Sequence, residues 1–581
     1  MPLPSLRIAN CSGFYGDRHS ALSEVLLGGP VDVITGDYLA ELTMLILYRS
    51  RAKDPSRGWA TTFLRQLEPV LGTVVERGTK VVVNAGGLAP AACARAVRDA
   101  ATALGLALPV AHVEGDDLLA RVGDLDLTHL DTGEPLGGRS PLTANAYLGA
   151  WGIASALTAG AQVVVTGRVT DASLVVGPAA AHFGWARDDW DRLAGAVAVG
   201  HVLECGTQAT GGNYSFWREE VAQPLHMGFP VAEVAEDGSA VITKHEGTGG
   251  AVTVGTITAQ LLYEIDTPLY AGPDVTTDFG SLQLEQVGPD RVRLSGARGS
   301  GPRGRLKACL NMLGSFGNRM EFVLTGLDIE AKAELALAGL RAAYPHPFEH
   351  ALVRLDREDA PTNEQAAALL RVHVRSADLK TVGRAFSGAC VELALASYPG
   401  FTLTTQPGEA VPYGVYWPAL VPQDAVQQVV VHADGHREPV PHTPAATPLT
   451  GGSPASPALQ AGSSGPVLGV NTRRVPLGVV VGARSGDKGG NANVGFWART
   501  DKAAVWLRAF MTEDAFRSLL PEADGLPVRV HPLPNLRAVN VVVHGLLGEG
   551  VASSTRFDPQ AKGLGEYLRS RLVEVPVSLL A

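Results

Sequence analysis

The feature that most constrains this chain is a rhythm in its first 180 residues. A short β-branched run gives way to a glycine-bearing polar turn, and then to a longer stretch with apolar residues at helical spacing. The runs are Leu6 to Ala9, Val31 to Ile34, Lys80 to Val83, Pro109 to Val113 and Val163 to Thr166. Each is short and mostly apolar, as strands buried on both faces of a parallel sheet must be. The segments between them, Ala21 to Leu27, Glu41 to Arg49, Trp59 to Glu76, Pro90 to Leu104 and Ala144 to Ala159, place apolar residues at i, i+3 and i+4. Such alternation predicts an α/β fold: an open, mostly parallel sheet with right-handed crossovers and helices on both faces.

After about Gly212 the pattern changes to hairpins. Val231 to Val234 with Ala240 to Thr243, and Leu282 to Val287 with Arg291 to Leu294, flank short turns. Helices follow at Ile329 to Leu340 and Thr381 to Ser397, so residues 213–436 read as an α+β continuation of the α/β part, 1–212. Residues 437–472 are rich in Pro, Ser, Gly, Thr and Ala and read as a linker, because they hold too little apolar surface to order themselves. The last unit, 473–581, has strands at Leu477 to Val481, Val528 to Val530 and Ala538 to Val543. Its helices are Asp501 to Phe510, Glu513 to Leu520 and Gly563 to Leu572, a small α+β domain.

Composition removes several classes of function. The formal net charge is -10 and no basic block occurs, so nucleic acid is not an expected partner. Five scattered cysteines without C-x-x-C spacing fit a reducing compartment and no structural zinc site. The chain shows no run of about 18 apolar residues and no signal-peptide pattern at its start, so a cytoplasmic location without membrane contact is expected. Glycine contributes 67 of 581 residues, well above the usual ~7%. Its placement therefore carries information.

All five proposed strands end in polar, glycine-bearing turns: Asn10 to Asp17, Thr35 to Asp37, Asn84 to Gly87, Glu114 to Asp117, and Gly167 to Ser173. In an open α/β sheet, ligands bind outside the carboxyl ends of the strands. Together these turns form a candidate rim, with Ser12, Gly13, Asn84, Gly86, Gly87, Glu114 and Ser173 as binding residues. Asp37 and Asp171 are candidate general acid and base; with Glu114, Asp116 and Asp117 they could instead hold a hard cation such as Mg²⁺. Arg168 offers a fork for a substrate carboxylate or phosphate. Cys11 is either a nucleophile before a helix N-terminus or a small buried residue at a strand end. The cofactor is left unknown: G-x-G-x-x-G is absent, which removes the nicotinamide or flavin fingerprint, as are G-x-x-x-x-G-K-[ST] and G-x-S-x-G.

Two further glycine-rich segments are candidate anion loops. Lys244 to Gly250 closes a strand before a helix, with His245 and Glu246 as a proton-transfer pair or, alternatively, as part of a helix start capped by Thr248. Gly482 to Asn493 follows an apolar strand and concentrates Arg484, Ser485, Asp487, Lys488 and Asn491 in what reads as a turn. Ser295 to Lys307, with four basic residues, reads as a grip for coenzyme A phosphates or as a solvated connection.

At these residues the sequence resembles the acyclic terpene utilisation (AtuA) family. The likeness runs through Cys11 to Asp17, Thr35 to Glu41, Asn84 to Gly87, Gly167 to Ser173 and Lys244 to Gly247. Ala483 to Asn491 is similar to the ferredoxin-fold domain that ends longer members. The resemblance implies a role in catabolism of branched acids as coenzyme A thioesters. The reading that follows is a hydratase or lyase acting by acid/base chemistry on a branched or unsaturated acid or acyl-CoA. The Arg484 to Asn491 loop would close over the substrate's anionic part. The alternatives are a non-catalytic ligand-binding or assembly subunit, and cysteine chemistry at Cys11. The expected partners are a small acyl substrate and further copies of the chain in a homo-oligomer.

Overall fold

The computed structural model describes residues 3–354, 360–445 and 471–580. The chain forms two compact units, one of Met1–Asn311, Tyr416–Val551 and Asp558–Ala581, the other of Met312–Val415 and Ala552–Phe557.

The first unit is organised by an eleven-stranded sheet. Its strands are β1 (Leu6–Asn10), β2 (Val33–Gly36), β3 (Lys80–Val83), β4 (Val110–Glu114), β5 (Val163–Thr166), β6 (Pro230–Val234), β7 (Ala240–Lys244), β8 (Gln283–Gly288), β9 (Arg291–Ser295), β10 (Val429–Val431) and β11 (Arg437–Pro439). They lie in the order β8-β9-β7-β6-β1-β2-β3-β5-β4-β10-β11. The five central strands β1-β2-β3-β5-β4 are parallel, and antiparallel strands extend the sheet at both ends. Helix α2 (Glu41–Lys53) packs Met44 and Leu47 in a separate cluster with Tyr147 and Cys309, while on one face of the sheet lie α1 (Ala21–Gly28), α3 (Thr61–Leu67), α4 (Leu71–Arg77) and α5 (Pro90–Ala103). Leu22, Phe63, Leu71 and Val97 of these helices share one core with Ala9, Ile34, Val81, Val83 and Val165 of the strands. Alternate residues Ile8, Val82 and Val164 are equally buried and point the other way. That face is covered by α6 (Trp151–Thr158), α7 (Ser173–Phe183) and α8 (Trp190–Leu203).

The reversal of direction explains the change of face. The chain steps from β1 to β3, passes beyond to β4, and returns to insert β5 between them; a right-handed return must cross on the opposite side. The strand order therefore switches beside β5, where ligands are expected.

The carboxyl end of the first unit adds a four-stranded antiparallel sheet of Val481–Lys488, Asn491–Ala498, Ala538–Val543 and Val528–Leu533. Helices Asp501–Phe510, Glu513–Leu519 and Leu564–Ser570 share its core with Phe496, Phe516 and Val541. In the second unit, Met320, Phe322 and Leu324 pair through their strand with Ala368–Ser376, itself paired with Glu349–Arg354. Helices Ile329–Ala343 and Arg384–Glu392 bury Leu340 and Phe386 against Phe322 and Leu370.

Several elements differ from the sequence reading. Trp59 to Glu76 is not one helix: Pro69 lacks an N–H, and a 3₁₀ turn at Glu68–Val70 separates α3 from α4. Of Ala144 to Ala159, the start belongs to strand Thr143–Ala146, paired with Ala308 to Asn311. Thr381 to Ser397 is broken at Gly383, and Leu477–Val479 is a 3₁₀ turn. Of the stretch read as a linker, Arg437–Pro439 is edge strand β11, while 446–470 lies outside the described residues. The largest difference concerns Arg484 to Asn491. It is a two-stranded hairpin in register Lys488↔Asn491, not a loop. Gly489, at φ +65°, is the first of its two turn residues, a position where glycine avoids Cβ strain.

Candidate active site

The turn after β2 places Asp37 under the sheet edge, 6% exposed. Its Oδ1 accepts from Asn84 Nδ2 at 2.6 Å and from the Leu39 amide at 3.1 Å. Asn84, ending β3, also accepts the Tyr38 amide through Oδ1, so it fixes the Asp37 turn from both sides. Arg168, ending β5, is 2% exposed. It donates to the Leu39 carbonyl at 2.8 Å, lies 3.5 Å from Asp171 Oδ1, and stacks 4.3 Å over the Tyr147 ring. Its buried Nε has no hydrogen-bond partner among the described residues. Glu41, opening α2, accepts from Tyr147 Oη at 2.9 Å and from Lys307 Nζ at 3.2 Å.

The carboxyl-terminal hairpin supplies the other half. Lys488 Nζ donates to the Glu264 carbonyl at 2.8 Å. Lys562 Nζ lies 3.2 Å from Glu264 Oε1, 3.6 Å from Asp487 Oδ1, and donates to Tyr263 Oη. Tyr416 joins the halves: its ring lies 5.7 Å from Lys307 Nζ and faces Gly489, where an added Cβ would come within 3.1 Å. Tyr270 makes a second link. It lines a narrow pocket with Thr170, Ser173 and Asp274, lies tilted against the His201 ring with centroids 5.4 Å apart and lies 5.8 Å from Lys488 Nζ. His201 in the last turn of α8 and Glu204, the residue that follows the helix, stand 3.1 Å apart.

The charge heads are surrounded by protein yet not sealed. Asp171 keeps 28% of its side chain accessible, Glu41 29% and Lys307 28%, Asp487 17% and Glu264 35%. They line a cleft that water can enter.

Crowding drives the titration of these groups apart. Burial and the neighbouring Asp171 charge raise the Asp37 carboxyl well above the usual range, against the pull of Arg168 and Asn84. Burial, Asp171 and Glu264 do the same to Glu204. Burial raises Glu264 to about 7 despite Lys488, and burial with Glu264 and Glu41 raises Asp487 to about 8. Burial also acts on Glu41, but Lys307, Arg168 and the Tyr147 hydroxyl outweigh it and hold that carboxyl well below its ordinary value. Burial lowers His201 to about 4. Burial and then Lys307 lower Lys488.

The sequence candidates divide accordingly. Asp37, Asn84, Arg168, Asp171, Ser173, Arg484, Asp487 and Lys488 border the cleft or position groups in it. Arg484 donates to Gln208 Oε1 and the Asn213 carbonyl beneath Tyr263. Ser12 and Gly13 shape the first turn, Ser12 Oγ donating to Phe14 O and Gly13 N to Asp17. Gly86 allows close approach, since an added Cβ would lie 2.4 Å from Thr166 O; Gly87 adopts φ +52°. Cys11 is fully buried beside Tyr38, and burial pushes its thiol up to about 12, unlike an activated nucleophile.

Other candidates are held elsewhere. Glu114 pairs with His112 and Arg437. Lys244 binds Asp290, His245 Nε2 donates to Val25 O, and Glu246 is exposed. The following helix, Val254–Leu261, is capped by Thr253 rather than Thr248. Ser485 is tied to Ala561 O and Gly565 N, and Asn491 to Asp131 and Gly545 N. In Ser295 to Lys307, Arg298 pairs with Asp191, and only Lys307 enters the cleft. Among the described residues no three His, Cys, Asp or Glu side chains are grouped to hold a metal ion. Sequence reasoning missed Glu41, Tyr147, His201, Glu204, Tyr263, Glu264, Lys307 and Lys562 as site residues. Glu41 alone carried a signal, four residues after Asp37 at a helix start.

Fold and site together define an α/β protein in which a small α+β domain lends charged side chains to a cleft at the sheet's carboxyl edge. The chain belongs to the acyclic terpene utilisation family: the model described as acyclic terpene utilisation family protein AtuA matches residues 6–432, and that of the AtuA ferredoxin-like domain matches 475–574. Membership connects it with acyclic terpene utilisation. Comparison with curated proteins and with solved structures found no match. Among the described residues no helix is long and apolar enough to cross a membrane.

Proposed function

We propose that the cleft carries out acid/base chemistry, adding water to or eliminating a group from a branched or unsaturated carboxylic acid or its coenzyme A thioester. The observation that carries this reading is the separation of carboxyl behaviour within one site. Burial and neighbouring negative charge push Asp37 and Glu204 toward the proton-bearing form, while Lys307 and Arg168 push Glu41 toward the ionised form. Such pairs divide the acid and base roles. Arg168, fixed by Leu39 O and Asp171, presents its free Nε to a developing or resident negative charge. In this assignment Asp37 delivers a proton and Asp171, oriented by Arg168, receives one.

The test is turnover of a panel of unsaturated branched acids and their acyl-CoAs. Wild type should convert at least one, and Asp171→Asn should lower kcat/KM by roughly 100-fold or more, the usual share of a positioned acid or base. Equal rates in both proteins would remove Asp171 from the mechanism. Saturable binding with no product from any member would make the chain a binding subunit instead.

A further inference from the structure

We propose that Glu264 is a third catalytic acid/base residue of the cleft, removing the proton α to the carbonyl of an acyl thioester, and that the ferredoxin-like domain exists in this chain to position it. This rests on the reading of the cleft as an acid/base site for acyl substrates.

Glu264 has a left-handed backbone, φ +55°, a conformation that non-glycine residues adopt only when their surroundings enforce it. The enforcement comes from the carboxyl-terminal sheet. Asn493 Oδ1 accepts the Glu264 amide at 2.8 Å, and Lys488 holds the Glu264 carbonyl. Asn493 Nδ2 donates to Leu262 O at 3.1 Å, Asn540 Nδ2 to Ile265 O at 3.2 Å and to Asp266 O at 3.0 Å, and the two asparagines bond to each other. Both are 0% exposed. Two strand glycines make room. A Cβ at Gly486 would stand 2.5 Å from the Tyr263 ring, and one at Gly495 would stand 2.4 Å from Leu262 Cβ. The residues that made Gly482 to Asn493 unusual in the sequence thus form a seat for one loop.

A seat alone would be structural, but its asparagine and Lys488 hydrogen bonds grip main chain, and the Glu264 side chain, passing Gly486, keeps 35% of its surface accessible in the cleft. There it meets Lys562 at 3.2 Å. The buried Nε of Arg484, stacked on Tyr263, and the buried Oε2 of Glu204 have no hydrogen-bond partner among the described residues. Burial holds Glu264 near 7, where a general base is most effective. In the step assigned to it, the α C–H bond breaks and a Glu264 O–H bond forms. The electron pair moves to the thioester oxygen, whose charge the Lys562 ammonium stabilises. Reversal returns a proton from solvent-exchanged Glu264.

The experiment is α-hydrogen exchange of 3-methylbutanoyl-CoA in D₂O, followed by mass spectrometry with the full chain. This saturated probe can be neither hydrated nor eliminated, so exchange is read separately from the reaction proposed above. Wild type should incorporate deuterium; Glu264→Gln should lose at least 100-fold, and Glu264→Asp should recover part of it. Asn493→Ala should lower the exchange rate at saturation with little change in the concentration giving half-maximal rate. Unfolding melts of each variant show whether it is folded. Wild-type exchange retained in folded Glu264→Gln, or no exchange in wild type, would overturn the inference. Exchange without turnover of the unsaturated panel would leave Glu264 assigned and overturn the hydratase or lyase reading; turnover without exchange would do the reverse.

Discussion

Two segments of this chain look alike in sequence and part company in structure. Lys244 to Gly250 and Arg484 to Gly490 each combine glycines with a lysine, a carboxylate and another basic or titratable group. In the first, the polar groups are used up locally or against a neighbouring helix. Lys244 Nζ donates to Thr248 O and pairs with Asp290, and His245 fits against Gly28 and Gly29. In the second, Arg484, Asp487 and Lys488 reach residues more than seventy positions away: Arg484 the Asn213 carbonyl, Lys488 the Glu264 carbonyl and Asp487 the Lys562 ammonium. Glycine-rich composition alone therefore does not mark a site. What separates the two is whether the side chains are satisfied away from the cleft or bring charged groups to it.

The largest test of that contrast is Lys488→Met. It removes the donor to Glu264 O from a half-buried position, which should cost about 1–3 kcal/mol of stability. It should also lower kcat/KM at least roughly 100-fold on whichever substrate proves active, because Glu264 loses its fixed place. Urea unfolding and steady-state kinetics check both; unchanged kinetics would reduce the hairpin to a structural contact.

A second test asks whether a shifted carboxyl by itself identifies a site. Asp116 is 3% exposed, and burial raises it to about 7. Yet its Oδ2 is occupied by the Arg168 amide and Asn145 Nδ2. With the folded value above the unfolded one, near 3.9, the group favours folding in its protonated form. Wild type should lose stability as pH rises from about 4 to 7, by up to ~4 kcal/mol. Asp116→Asn should flatten that part of the profile without altering the pH dependence of activity. Thermal unfolding between pH 4 and 8 checks this; parallel profiles for the two proteins would place the titration elsewhere.

The contrast also explains what the sequence made legible. The parallel core strands were readable because burial on both faces leaves short β-branched runs, and β3 and β5 match their expected bounds. Asp37, Arg168 and Asp171 were readable because strand ends place them together whatever the rest of the chain does. Glu204, Glu264 and Lys562 were not. Each stands in an ordinary local context, and the contacts that matter come from elements hundreds of residues apart. Asn493 and Asn540 read as strand polar residues, and only the register of the sheet shows that they address one loop. The helix at Trp59 to Glu76 misled because its apolar spacing continues through Pro69.

The smallest effects belong to the turn held locally, and they sharpen the contrast by being absent from catalysis. Lys244→Met leaves Asp290 and Thr248 O without their cation, for about 1–2 kcal/mol of stability at neutral pH and unchanged kcat/KM. His245→Phe removes one buried hydrogen bond to Val25 O, about 1 kcal/mol at pH 8. Its pH dependence has a definite sign. Burial lowers the His245 ring's pKa, with the Val25 bond opposing, so the folded protein favours the neutral ring. Wild type therefore loses this contribution as pH falls below the unfolded value near 6.5. Phenylalanine cannot titrate, so the gap between the two proteins should narrow at pH 5. A variant that unfolds like wild type but loses turnover would bring His245 into the chemistry and erase the distinction between the two segments.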